Sequence, residues 1–212
     1  MVNRHKDINA GGICVKTILN YIKYRLWAVQ QYPDPDTIYK YGGLNDVSRY
    51  LKSCSSTHST NEILARFGAD IHPDANPIGP WLTLHEAVGD YSNLSVAAHG
   101  YIGKEVFLDL SDKIIIEDSA GVGMRSILLT HRSLGNFPNK RTNKIFKDKL
   151  EPIILRKGSS VGAGAIIMPG VEIGEDAIVN AGVFVDRNVP PRTVVYSSSV
   201  KDDFVINEKF LK

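Results

Sequence analysis

Aliphatic residues recur with a fixed step toward the C-terminal end of the chain: Leu155, Val161, Ile167, Ile173, Val179 and Val185 each head a block of six. The fifth place of those blocks holds Ser159, Ala165, Val171, Ala177, Val183 and Val189, all small or β-branched. Two inward positions per block of six suit neither a helix nor a hairpin meander. They suit a triangular coil in which three short flat strands, one block each, complete a turn, and each turn stacks on the next. The head would fill the prism's interior. The fifth place would sit near a corner, where a bulky side chain is expected to break the coil.

The same period runs upstream with less fidelity, at Leu82, Val88 and Leu94, then Ile102 and Leu108, then Ile116, Val122 and Leu128. Two slips of register separate these groups, and residues bulging outward at corners would absorb them. A longer interruption from Arg132 to Pro152, rich in Lys, Arg and Asn, reads as a loop extruded from one corner. The repeat therefore predicts a coil over 71–200, interrupted near 132–152 and followed by a tail at 201–212.

Before residue 71 the spacing is helical. Val15, Ile18, Leu19, Ile22, Leu26 and Val29 line one side of a predicted amphipathic helix over Gly12 to Gln30, read as packed on the domain. Its exposed charges are basic, so peripheral membrane contact stays open as the less favoured reading. After the break at Tyr32-Pro33-Asp34-Pro35, shorter helices are expected at Leu44 to Leu51 and at Asn61 to Phe67, the latter closed by Gly68. Residues 1–70 thus form a helical cap. The fold class is mainly β, a parallel β-helix with an N-terminal α-helical segment.

Composition changes this picture little. A chain of 212 residues is long enough for a real core without staples. Cys14 and Cys54 both fall in helical segments, which argues against a disulfide framework and for a reducing compartment; the cytoplasm is the expected location. With 25 Lys and Arg against 23 Asp and Glu, no nucleic-acid partner is implied. The apolar run Ile13 to Val29 is interrupted by Lys16, Lys23 and Arg25, which excludes a membrane span there.

At Val161-GAGAIIMPGVEIGEDAIVNAGVFV, followed by Arg187-Asn188-Val189-Pro190-Pro191, the chain resembles the C-terminal signature of the hexapeptide-repeat acetyltransferases. The likeness extends through Tyr101-IGKEVFLDLSDKIIIED and Ile127-LLTHRSLG, which resemble the acceptor and catalytic segments of sugar and polysaccharide O-acetyltransferases. The resemblance implies a left-handed coil, a homotrimer with sites between subunits, and direct transfer of an acetyl group from acetyl-CoA to a saccharide or other small acceptor. No metal is required and no covalent enzyme intermediate forms, so the cysteines are bystanders.

Acetyl transfer to a hydroxyl needs a base, and His131, which follows the strand-like Ile127-Leu128-Leu129-Thr130 at the mouth of the basic loop, stands where the family places it. Asp109 is expected either to bind a sugar hydroxyl or to orient that imidazole, and Lys104 to contact the acceptor. For CoA, the resemblance points to Ala163 and Ala181 beside the pantetheine arm, although coil corners need small residues in any case. It points to Arg187 and Lys201 near the phosphates. Val195-Tyr196-Ser197-Ser198-Ser199-Val200-Lys201 departs from the family's usual closing motif. The loop cations Lys140, Arg141, Lys144 and Lys147 would attract an anionic acceptor or simply solvate the loop. Acetylation of an amino-sugar nitrogen, a non-catalytic assembly scaffold, and a metal site on His85, His99 and His131 are the alternatives.

Overall fold

The computed structural model describes residue 19 and residues 22–23, 34–54, 57–87, 89–133, 148–196 and 204–205. Of the helix expected over Gly12 to Gln30, Leu19, Ile22 and Lys23 are described and helical, and the rest lies outside the described residues. Leu19 and Ile22 are exposed, not packed on the coil as their spacing suggests.

The Pro-rich segment read as a break opens a helix instead. Asp34 caps it by accepting from the Thr37 N–H, and Pro35, which has no N–H to lose, takes the first position of a helix spanning Pro35–Ser53. Gly43, at φ 68°, divides this element into two helices across a kink, so the stretch expected at Leu44 to Leu51 is its second half. The next helix, Thr57–Arg66, ends as the sequence implies. Gly68 adopts φ +105°, its N–H donates to Ala65 O, and the Ala69 N–H donates to Leu64 O, the paired bonds of a Schellman closure. Val47, Leu51, Ile63 and Leu64 join the buried cluster of the coil, so helices and coil share one core.

The coil is a three-faced prism of parallel strands. One face stacks Asp70–Ile71, Leu94–Val96, Ile114–Ile116, Ile153–Leu155 and Glu172–Ile173. A second stacks Thr83–His85, Phe107–Asp109, Ile127–Leu128, Ile166–Ile167 and Phe184–Val185. The third stacks Tyr101–Ile102, Gly121–Val122, Ser160–Val161, Ile178–Val179 and Thr193–Val195, with Phe204–Val205 added antiparallel at its edge. The chain visits first, third and second face in rotation. Heads lie in register, Leu108 beside Leu128 and Leu128 beside Ile167, and point into a core with almost no exposed surface.

Two expectations about the pattern need correction. The upstream heads are Leu84 and Val96, paired with Leu108 and Ile116, and not Leu82 and Leu94. Leu82 and Leu94 are fully buried in the fifth place of their blocks. Val88 lies outside the described residues. Nor must the fifth place be small, since Leu94, Ile114 and Ile153 occupy it consecutively on the first face, all fully buried. Large residues are accepted there because they stack on one another and fill the corner as a column.

The slips of register have a common location. The passages from second to first face, Leu84 to Val96, Leu108 to Ile116 and Leu128 to Leu155, each exceed six residues, whereas Ile167 to Ile173 does not. These three insertions therefore all emerge at one corner. The interruption near 132–152 is anchored there by an antiparallel ladder, His131–Arg132 against Lys149–Leu150, which the sequence did not suggest.

Candidate active site at the corner of the coil

The three insertions bring together side chains that the regular coil would keep apart. Asp109 ends the strand Phe107–Asp109 on the second face, one coil below the passage that carries Thr130 and His131. Its carboxylate is fully buried. Oδ2 accepts from the His131 ring Nδ1 at 2.6 Å, from the His131 backbone N–H at 2.9 Å and from the Thr130 N–H at 3.0 Å. Oδ1 accepts from the Ser111 hydroxyl at 2.7 Å and more weakly from the Ser111 N–H at 3.2 Å. The Thr130 hydroxyl donates to Asp109 O and accepts from the Asp112 N–H, which ties the bulge after Leu110 to the coil above.

Burial acts to raise the Asp109 pKa, but donation from the Ser111 hydroxyl, the backbone N–H groups of His131 and Ser111 and the His131 ring outweighs it and holds the carboxyl below its ordinary value. Asp109 is therefore an anion at neutral pH and can only accept. The His131 proton is thereby assigned to Nδ1, which leaves the Nε2 lone pair as the ring's remaining acceptor. The imidazole is about one-third exposed. It opens into a cleft of about 320 Å³ lined by Glu86, Ser111, His131, Arg132, Ser133, Asp148, Lys149 and Leu150. An oriented, part-exposed imidazole with a free nitrogen facing a cleft is an arrangement able to take a proton from a hydroxyl placed there.

The expected site residues separate into two groups. His131 and Asp109 meet as described, but Asp109 has no surface to offer an acceptor, so of its two expected roles the geometry gives the orienting one. Lys104 does not join them. It lies at the opposite corner of the second face, in the column Lys104, Met124, Ala163 and Ala181, linked coil to coil by Arg125 N–H to Lys104 O, Gly164 N–H to Met124 O and Gly182 N–H to Ala163 O. Ala163 and Ala181 are exposed on that column. Beside them Gly164 and Gly182 adopt φ near +70°, and a Cβ built on either would touch nothing within 4 Å, so the strip is open. Arg187 is exposed at the His131 corner, following Val185, two coils further along. Lys201 and the loop cations Lys140, Arg141, Lys144 and Lys147 lie outside the described residues.

Sequence reasoning missed Ser111, Thr130 and Glu86, and weighed His85 only as a metal ligand. His131 is not alone in following a coil strand, because His85 ends Thr83–His85 and pairs in register with Asp109. With Leu84 as head of its block, His85 falls in the Asp109 column, and that register was the available signal. Of the histidines weighed for a metal, His85 and His131 are neighbours, while His99 lies beyond Val96 at a different corner, bonded through its carbonyl to Asn76.

The parallel coil with a six-residue step is folded as a left-handed β-helix, with an aspartate-bonded histidine at one corner. Residues 152–187 match the family model of the bacterial transferase hexapeptide (six repeats). A serine acetyltransferase of Buchnera aphidicola subsp. Acyrthosiphon pisum is 29% identical over 73% of this chain and 47% of its own length. The chain spans about half or less of the curated relatives it matches. Among solved structures, the hexapeptide-repeat acetyltransferase VCA0836 of Vibrio cholerae, complexed with acetyl coenzyme A, superposes with a TM-score of 0.59 at 18% identity, covering 76% of this chain and 81% of that one. A maltose O-acetyltransferase of Clostridium difficile superposes with a TM-score of 0.57 at 18% identity, covering 81% of this chain and 86% of that one.

Proposed function

We propose that the protein is an acetyl-CoA-dependent O-acetyltransferase that acetylates a hydroxyl of a saccharide, with His131 as general base. The observation that carries this reading is the His131–Asp109 pair at the mouth of a cleft, with Nδ1 committed to a buried anion and Nε2 free. In the reaction, Nε2 takes the acceptor's proton as the hydroxyl oxygen bonds to the thioester carbonyl carbon. The tetrahedral intermediate collapses, the C–S bond breaks, and the imidazolium returns its proton to the departing thiolate. Asp109 stabilises the transient imidazolium without being protonated itself.

The open strip at Ala163, Gly164, Ala181 and Gly182 suits the extended arm of acetyl-CoA, because nothing there projects from the backbone. Within one chain the strip and His131 lie at opposite corners of the second face. A neighbouring chain supplies the missing proximity if its strip abuts this chain's cleft. The outward positions of the second face, Phe107, Ile127, Ile166 and Phe184, form a column of apolar side chains, with Phe184 58% exposed, which suits self-association into a homotrimer.

The test is to incubate the protein with acetyl-CoA and a panel of sugars, activated sugars and amines, following thiol release and locating the new ester or amide by NMR. His131→Ala is expected to lower turnover by about 10² to 10⁴ with unchanged melting. Undiminished turnover in that variant, or acetylation confined to amines, overturns the reading.

A further inference from the structure

His131 does not stand alone at the cleft. The His85 ring lies nearly parallel to it, with centroids 6.1 Å apart and planes at 22°. On its other side His85 meets Phe107, at 5.5 Å between centroids. Its Nε2 is 3.4 Å from Glu86 Oε1, and Glu86 itself lines the cleft. The backbone is engaged as well: the Leu110 N–H donates to His85 O at 2.8 Å, fixing the chain between Asp109 and Ser111. Two imidazoles, each with its own carboxylate, thus lie nearly parallel at one corner, on coils separated by the coil of Asp109.

Asp109 Oδ2 at 2.6 Å and the Ser111 hydroxyl at 3.0 Å both hold the His131 ring at Nδ1, so its hydrogen bonds act at one edge and restraint of its face is left to packing. The His85 plane supplies that restraint. We propose that His85 is a positioning residue: stacked between Phe107 and His131, it holds the His131 imidazole in the plane from which Nε2 faces the cleft, with Glu86 fixing His85 in turn. The role requires a flat ring at position 85 and not its Nε2, which faces Glu86. The inference rests on His131 as base for its catalytic consequence, but the restraint on the ring is a separate physical claim.

The experiment compares His85→Ala with His85→Phe, using protein labelled with ¹⁵N-histidine. In the wild type the Nδ1 proton held against Asp109 at 2.6 Å is expected to give a sharp, far-downfield signal. His85→Ala is expected to broaden or abolish it, and His85→Phe to restore it. With acetyl-CoA and the acceptor panel, His85→Ala should lower kcat by about tenfold with KM for acetyl-CoA unchanged, less than the hundredfold that a misplacement of about 1 Å can cost. His85→Phe should recover most of that loss. The side chain is about half exposed, so both variants should fold, and their melting temperatures check this. An unchanged Nδ1 signal in His85→Ala, or a phenylalanine variant as impaired as the alanine one, overturns the proposal. If His131→Ala turns over normally, the base assignment falls, and the Nδ1 signal still decides whether His85 restrains the ring.

Discussion

Replacing Asp109 separates its electrostatic duty from its structural one, because the two isosteric atoms of asparagine can be placed unambiguously. Oδ2 receives three donors and Oδ1 receives the Ser111 hydroxyl and a long contact from the Ser111 N–H. In Asp109→Asn the amide oxygen must take the Oδ2 place, since an NH₂ there would face three N–H groups. The amide nitrogen then faces Ser111, whose hydroxyl can rotate to accept from it, and only the long contact from the Ser111 N–H is given up. The packing survives and the charge is lost. A hydrogen bond to a charged group contributes about 1.5–3 kcal/mol and a neutral one about 0.5–1.5 kcal/mol, so the imidazolium loses roughly 1–2 kcal/mol of stabilisation. At about 1.36 kcal/mol per tenfold, kcat falls roughly 5- to 30-fold.

Asp109→Ala should behave differently. It strips the acceptor from the Thr130 and His131 backbone N–H groups at a position with no exposed surface. An orphaned buried donor costs about 1–3 kcal/mol, so the loss is about 2–6 kcal/mol, a large part of the stability of an ordinary domain. Thermal and urea denaturation would measure the second effect, and acetyl-CoA thiol release at saturating acceptor the first. The reasoning is refuted if the asparagine variant keeps wild-type kcat, or if the alanine variant is as stable as the asparagine one.

The Asp109 carboxyl, held below its ordinary value, contributes stability that is fully present above the unfolded value near ~3.9 and is lost as pH falls through the lower folded value. The stability advantage of wild type over Asp109→Asn should therefore shrink on acidification below about pH 4, measured by urea midpoints across pH. Ser159 buries a hydroxyl that finds no partner among the described residues, in register with Ala120 below and Ala177 above, so Ser159→Ala should raise stability by about 1 kcal/mol; a lowered melting temperature would contradict this. A Cβ at Gly162 would lie 2.5 Å from Ala181 N, whereas at Gly164 it would meet nothing. Gly162→Ala should accordingly cost more than about 1–3 kcal/mol by forcing the coils apart, and Gly164→Ala only the ~1–2 kcal/mol of its left-handed backbone; equal melting temperatures for the two variants would show the corner to be soft.

What could be read from the chain and what could not divide at the physical range of each signal. The six-residue step is local, so the coil from Leu155 to Val189 was legible residue by residue, as was the helix closure at Gly68. At Leu82 and Leu94 the reading slipped by two. Heads and fifth places both carry large aliphatics there, and burial alone does not distinguish two inward columns. That slip hid His85, because with Leu82 as head the histidine falls at no special place. Lys104 stands apart from Asp109 within one chain for a related reason: nearness in sequence says little when the chain turns a corner every six residues.

The register slips carry the larger lesson. Taken one at a time, an extra residue or two in a repeat is a tolerated bulge, and a basic loop is a solvated excursion. Placed on the prism, they share one corner. The bulge carrying Ser111, the turn carrying Glu86 and the hairpin base carrying Arg132 and Lys149 form the wall of one cleft. A perfect hexapeptide coil has flat sides and no concavity, so the chemistry has to be built where the repeat fails. The failures must also stack in the same corner to enclose anything. The distance between successive slips, counted in whole turns of the coil, is thus a readable quantity. In a repeat of this kind, insertions that recur at the same phase mark the site, and insertions at mixed phases mark only tolerance.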